Sequence, residues 1–235
     1  PDSFESEGFD RHSLSLPECQ KDLIREASKL NKNTIVVLFN GSAIEMDFKD
    51  SVKAILEMNL PGEGVAEAVS SLLFGDINPS GRLSETYPLK LEDNPSYLNY
   101  PGDGRDCDYK EDVYVGYRYY DTKKMDVLFP FGYGLSYTTF ALSELSVKEN
   151  EDVVNAKVKI KNTGERKGKS VIELFIRPGK MRKNRPHHEL KGFKKVELEP
   201  NEEKIVEFAL TRRDFSYWEE KVDSWYVESG EYTIE

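Results

Sequence analysis

The sequence predicts an α/β segment built on a mostly parallel sheet, followed by an all-β antiparallel sandwich. Three observations carry this. Helix-like and strand-like patterns alternate over the first 75 or so residues. Residues 76 to about 139 lose periodicity and become rich in proline, glycine, tyrosine and aspartate. From Phe140 onward, short alternating strands recur at turn-punctuated spacing. Alternating strands and helices imply βαβ units, whereas regular short strands with intervening turns imply a sandwich.

In chain order, residues 17–31 are expected to form a helix. Leu23, Ile24, Ala27 and Leu30 fall at helical spacing, and Pro17 suits a first-turn position. Residues 34–39 form a continuous apolar run rich in β-branched residues, which reads as a strand buried on both faces. Asn40-Gly41-Ser42 ends it, and residues 52–58 are a weaker second strand. Residues 62–74 read as a helix with Val65, Ala66, Ala68, Val69, Leu72 and Leu73 along one side, stopped by Gly75. Only two strands of the parallel sheet are visible, so the layer is expected to be incomplete on its N-terminal side. The long aperiodic stretch reads as an extended connector, with the tyrosines of residues 114–120 anchoring it by burial. In the last part, residues 153–160 alternate apolar and polar, Asn162-Thr163-Gly164 makes a turn, and strands are expected near 171–176, 190–198, 205–210 and 225–227. Sandwich packing is the default for at least one of Trp218 and Trp225. The final residues, 230–235, begin a strand and stop, so a closing strand is expected to be missing.

Composition narrows the function classes. The chain has 235 residues, of which 38% are hydrophobic and 11% aromatic, enough for packed cores. A formal net charge of −10 argues against nucleic acid and anionic membrane surfaces as partners. No apolar run approaches the ~18 residues of a membrane span, and no signal peptide is visible. The two cysteines, Cys19 and Cys107, share no motif and read most simply as free thiols in a reduced compartment, which tilts the expectation toward the cytoplasm. His187-His188 does not read as a metal site, because adjacent strand residues point to opposite faces and no third ligand is near in sequence. Gly62-Glu63-Gly64 is too short for a dinucleotide fingerprint. No cofactor and no metal are expected.

Several motifs, taken in order, carry a family resemblance. They are Ser6-Glu7-Gly8-Phe9-Asp10-Arg11; Leu60-Pro61-Gly62-Glu63-Gly64; Asn78-Pro79-Ser80-Gly81-Arg82-Leu83 with Thr86 and Pro88; Val113 to Asp121; Phe129 to Phe140; and, near the end, Asn162-Thr163-Gly164, Leu190-Lys191-Gly192-Phe193, Trp225 and Ser229-Gly230-Glu231-Tyr232. Together they resemble the family 3 glycoside hydrolases, in the branch that includes β-glucosidases and β-xylosidases. The resemblance implies part of a three-layer α/β sandwich over residues 1–88, an aromatic-rich connector over 89–139 and a fibronectin type III-like domain over 140–235. It also implies a (β/α)8 barrel carrying a nucleophilic aspartate. No segment here resembles the one that bears it.

By the same resemblance, Glu7 takes the place of the acid/base residue of a retaining exo-acting β-glycosidase, most simply a β-glucosidase acting on a β-linked glucoside or oligosaccharide. A retaining site needs two carboxyl groups about 5–5.5 Å apart, one attacking the anomeric carbon and one protonating the leaving oxygen. Glu5 lies in the same loop, but Gly8 follows Glu7 as the pattern requires. Asp10 and Arg11 are candidates for binding sugar hydroxyls by charge-assisted hydrogen bonds, or for shaping the loop through local pairing. Without the missing carboxylate, the chain alone is expected to be inactive. The competing reading is a non-catalytic binding or scaffolding module.

Overall fold

The computed structural model describes residues 6, 8, 11–151, 153–180 and 182–235. The chain divides into two compact units. The first comprises residues 1–68, 84–120 and 125–131, and the second residues 69–83, 121–124 and 132–235.

In the first unit, helix α1 (Glu18–Leu30) leads to strand β1 (Ile35–Leu38), which pairs in parallel with β2 (Ala54–Glu57). The alternation of helix and parallel strand follows the sequence pattern. Burial of β1 does not: Val36 and Leu38 are buried, whereas Ile35 and the adjacent Phe39 are exposed. The expectation of a strand buried on both faces is therefore corrected. Val37, between Ile35 and Phe39 on the same face, is only partly buried. On the buried face the chain after β1 turns inward, and Ala43, Ile44, Met46 and Phe48 enter the core.

Helix α2 (Val65–Phe74) ends at Gly75, whose φ of +82° is left-handed. That conformation is cheap only for glycine and turns the chain back so that the Ile77 N–H reaches the Ser71 carbonyl at 3.1 Å. The tyrosine-rich run is a second correction, since residues 117–123 form a short helix, α3 (Tyr117–Lys123), rather than extended chain. Ring packing favours it. Tyr117 lies 4.9 Å from Phe131 between centroids, Tyr119 meets Tyr120 edge-on at 5.4 Å, and Tyr120 is buried. Aromatic burial on this scale outweighs weak helix propensity.

The second unit contains the sandwich. One antiparallel sheet is β3–β4–β7 (Phe140–Asn150, Val153–Asn162, Glu203–Thr211). The other has the order β10–β5–β6 (Tyr232–Ile234, Gly168–Pro178, Glu189–Leu198). Their facing residues alternate as a period of two demands. Ala156, Ile160, Ile172, Leu174, Ile176, Leu198, Val206, Phe208 and Leu210 form one core. The turn between β4 and β5 is organised by Asn162, which is completely buried. Its Oδ1 accepts from the Thr138 hydroxyl at 2.7 Å and the Gly164 amide at 3.1 Å, while its Nδ2 donates to the carbonyls of Arg166 at 2.7 Å and Leu198 at 3.2 Å. A short hairpin, β8–β9 (Tyr217–Glu219, Ser224–Tyr226), pairs Trp218 opposite Trp225. Both indoles are about half exposed and pack edge to face, so neither fills the sandwich core as expected.

Candidate active-site loop and its anchorage

Glu7 and Asp10 lie outside the described residues. Gly8, between Glu7 and Phe9, has φ +98°, a conformation open to glycine and strained for other residues. Arg11 is described. Its Nη1 donates to the Ser42 hydroxyl at 2.7 Å and to the Ala43 carbonyl at 3.3 Å. Three residues on, the Leu14 carbonyl accepts from the Glu45 amide at 2.9 Å. The chain that leads from the glutamate–glycine loop into α1 is thus tied twice to the segment following β1.

That receiving segment is itself held from within. Asn40 is buried at the end of β1, and its Nδ2 donates to the Ser42 carbonyl at 2.9 Å and to the Tyr87 hydroxyl at 3.3 Å. Tyr87 is only 1% exposed and donates its O–H to the Glu57 carboxylate, at the end of β2, at 3.2 Å. Burial pushes the Tyr87 hydroxyl well above its ordinary pKa, and the Glu57 carboxylate pushes it the same way. Tyr87 therefore stays protonated and keeps donating. Its ring meets Phe129 edge-on, and its backbone bonds to Phe129 and Leu128. Two buried oxygens, Asn40 Oδ1 and Thr86 Oγ1, have no hydrogen-bond partner among the described residues.

The described carboxylates bonded into this framework have structural tasks. Glu57 accepts from Tyr87 and from the Asn59 amide at 2.7 Å, and Glu45 accepts from the Leu91 amide at 3.2 Å. The arrangement can hold a loop in place, and its own acids are committed to hydrogen bonds that shape the backbone. Sequence reasoning singled out Arg11 but missed Ser42, Asn40 and Tyr87. Asn40 and Ser42 read as a strand end, and Tyr87 passed unnoticed between Thr86 and Pro88.

In the second unit, the motifs that carry the resemblance meet one another. Asn78 Oδ1 accepts from the Ser136 hydroxyl at 2.9 Å and the Tyr137 amide at 2.8 Å, while its Nδ2 donates to the Lys167 carbonyl at 3.2 Å. The Leu83 amide donates to the Tyr133 carbonyl, and the Gly132 amide to that of Leu83. Gly132 has φ +77°, and a Cβ there would lie 2.3 Å from Glu173 Oε2. Burial raises the Glu173 carboxyl above its ordinary pKa, with Arg82 opposing. The paired histidines precede β6 and do not lie on a strand, so the expectation that strand geometry turns them to opposite faces is corrected: their ring centroids are 5.3 Å apart. His188 Nε2 lies 2.8 Å from Asp121 Oδ2 and Nδ1 3.3 Å from Glu235 Oε2, with the Phe175 ring stacked on it. These contacts raise its pKa, the Asp121 hydrogen bond most.

Residues 1–137 match the glycosyl hydrolase family 3 C-terminal domain, and residues 170–235 match a fibronectin type III-like domain. The chain is 49% identical to the thermostable beta-glucosidase B of Acetivibrio thermocellus, a similarity covering all of this chain and 32% of that protein. It is 44% identical to an exo-alpha-(1->6)-L-arabinopyranosidase of Bifidobacterium breve, over all of this chain and 31% of that protein. Its fold superposes on the crystal structure of a family 3 beta-glucosidase from Bifidobacterium adolescentis with a TM-score of 0.97 at 42% identity, covering all of this chain and 35% of that one. The chain spans about a third of the length of the curated relatives it matches.

Proposed function

Since this chain belongs to glycosyl hydrolase family 3, we propose that it is the C-terminal part of a retaining exo-acting β-glycosidase, most simply a β-glucosidase, with Glu7 as its acid/base residue. The observation that carries the reading is the glutamate–glycine pair at Glu7 and Gly8, placed just before a chain segment bonded by Arg11 and Leu14 to the core of the first unit. The partner carboxylate, a nucleophilic aspartate, would come from a (β/α)8 barrel in the same protein. Glu7 in its acid form donates a proton to the glycosidic oxygen as the aspartate attacks the anomeric carbon. The resulting carboxylate then takes a proton from the water that releases the sugar. For the first step Glu7 must be protonated, which partial burial and the nucleophile's negative charge favour.

The terminal sugar is set elsewhere. A relative 44% identical over this whole chain bears the name of an arabinopyranosidase, while one 49% identical bears that of a glucosidase. Such similar regions serving different sugars support a sugar pocket built mainly by the barrel.

The test is hydrolysis of 4-nitrophenyl β-glucoside, β-xyloside and α-L-arabinopyranoside, and of cellobiose, by this chain alone and by the whole-gene product, each with Glu7→Gln. General acid catalysis contributes about 10²–10⁴-fold. The whole protein should lose roughly that much on cellobiose with Glu7→Gln, and the isolated chain should be silent. Ordinary cellobiose turnover in Glu7→Gln would sink the assignment. Silence of the whole protein on every sugar would favour a binding module.

A further inference from the structure

We propose that Arg11 and Ser42 are positioning residues that fix the root of the segment carrying Glu7, and that the Asn40–Tyr87–Glu57 hydrogen bonds stiffen the surface they grip. The proposal rests on the acid/base reading of Glu7 and names the groups that would hold it.

The Arg11 guanidinium is committed to protein oxygens, the Ser42 hydroxyl and the Ala43 carbonyl, across separations of 31 and 32 residues. A planar guanidinium gripping two acceptors fixes direction as well as distance. The acceptors stand on a rigid base. Ala43, Ile44, Met46 and Phe48 are buried around them, and Asn40 bonds the Ser42 carbonyl from behind. Asn40 is held in turn by Tyr87, and Tyr87 by Glu57 on the neighbouring strand. Every link is a hydrogen bond between groups that are buried or partly so, where such bonds are strongest.

Chain length shows what the clamp contributes. Glu7 lies four positions before Arg11, so its Cα stays within about 14 Å of the Arg11 Cα whatever path residues 7–10 take. If Arg11 lets go, the next tie is Leu14, seven positions from Glu7, and the reach grows to about 25 Å. Dilution over that longer tether costs only about 2-fold, by the −3/2 power of length. Loss of orientation is the larger effect, because a misplacement of about 1 Å costs up to ~100-fold. The expected penalty therefore lies between these limits and falls on the step that needs the proton.

The experiment uses the whole-gene product and compares kcat/KM on cellobiose, whose leaving group needs protonation, with kcat/KM on 2,4-dinitrophenyl β-glucoside, whose leaving group does not. This ratio of rate constants reports the step that forms the glycosyl-enzyme, where Glu7 acts as the acid. Arg11→Met and Ser42→Ala should each lower the cellobiose value at least about 5-fold more than the dinitrophenyl value, with Ser42→Thr restoring it. Glu7→Gln should show the largest contrast. Equal losses on both substrates for Arg11→Met and Ser42→Ala, with the Glu7→Gln contrast intact, would overturn the clamp and leave the acid/base reading standing. A KM increase shared by both substrates would instead mark Arg11 as a sugar ligand, also overturning it. Absence of contrast in Glu7→Gln itself would remove the reading and the clamp together. If Arg11→Met fails to fold, Ser42→Ala, which removes one hydroxyl, decides alone.

Discussion

Replacing Asn162 with alanine should destabilise the β-sandwich unit by about 3 kcal/mol. The side chain makes four hydrogen bonds, and each is worth about 1 kcal/mol net. Two of the partners lie near solvent, since Arg166 is exposed and Gly164 is partly so, and water can replace the lost bond there. The other two cannot be rescued so easily. Thr138 is buried, and the Leu198 carbonyl belongs to a residue with no exposed surface. Each stranded buried group costs about 1–3 kcal/mol. Two bonds largely recovered and two lost with their desolvation penalty give the ~3 kcal/mol total, equivalent to roughly 12–24 °C in the melting midpoint of a domain of this size. Asn162→Asp keeps both accepted bonds but turns a carboxylate toward two carbonyls, so it should be at least as damaging at neutral pH and partly relieved on acidification.

The assay is built into the molecule. Both tryptophans, Trp218 and Trp225, lie in the second unit, so tryptophan emission during urea unfolding of the 235-residue chain reports that unit alone. A loss below about 1 kcal/mol for Asn162→Ala, at unchanged urea dependence, would refute the reasoning, because it would mean that the buried partners find substitutes.

Gly132→Ala should cost about 2–3 kcal/mol, combining a left-handed φ with displacement of the Glu173 carboxylate. Adding Glu173→Ala should recover the clash but not the backbone strain, and a neutral Gly132→Ala in the same urea assay would contradict the geometry. His188 faces Asp121 and Glu235, with Phe175 stacked, His187 alongside and Arg177 paired to Glu235, and its pKa is raised above 6.5 in the folded chain. Its protonated form therefore stabilises fully below pH 6.5, and that contribution is lost as pH rises through the folded value. Melting midpoints of wild type and His188→Gln should differ most at low pH and converge on the alkaline side, and a gap that stays constant from pH 5.5 to 9 would refute this coupling.

The parts of this fold that were legible in the sequence are those where neighbouring residues decide the outcome. The β-branched apolar run at residues 34–39 marked β1, although only one of its faces is buried, and the period-two alternation at 153–160 marked β4, because burial on one face there imposes a local pattern. Asn162-Thr163-Gly164 announced a turn, although the buried role of Asn162 depends on Thr138 and Leu198, residues far off along the chain. Where packing partners are distant, local pattern failed. Helix α3 has no apolar periodicity, and rings such as Phe131 support it from another part of the chain. The tryptophans looked like core residues by type but pair with each other on a half-exposed hairpin. Arg213 stacked over Trp225 at 2.9 Å gives one ring a cationic partner in place of an apolar one.

The candidate site divides along the same line. Glu7 was singled out only through the family resemblance, since by residue type alone it is one of many surface acids, and it lies outside the described residues. Arg11 could be singled out but its partner could not be named, since an arginine beside an aspartate suits a sugar hydroxyl or, more readily, a loop brace formed by local pairing. The difference lies in Ser42, 31 positions away, and in the buried Asn40–Tyr87–Glu57 chain that makes Ser42 a firm support. A surface serine would yield to a pulling guanidinium, whereas one whose own carbonyl is bonded to a buried asparagine resists it. The same arginine thus acquires a mechanical role only through residues that pack for reasons of stability. A position that a catalytic loop must hold is set by the core of the domain from which the loop departs.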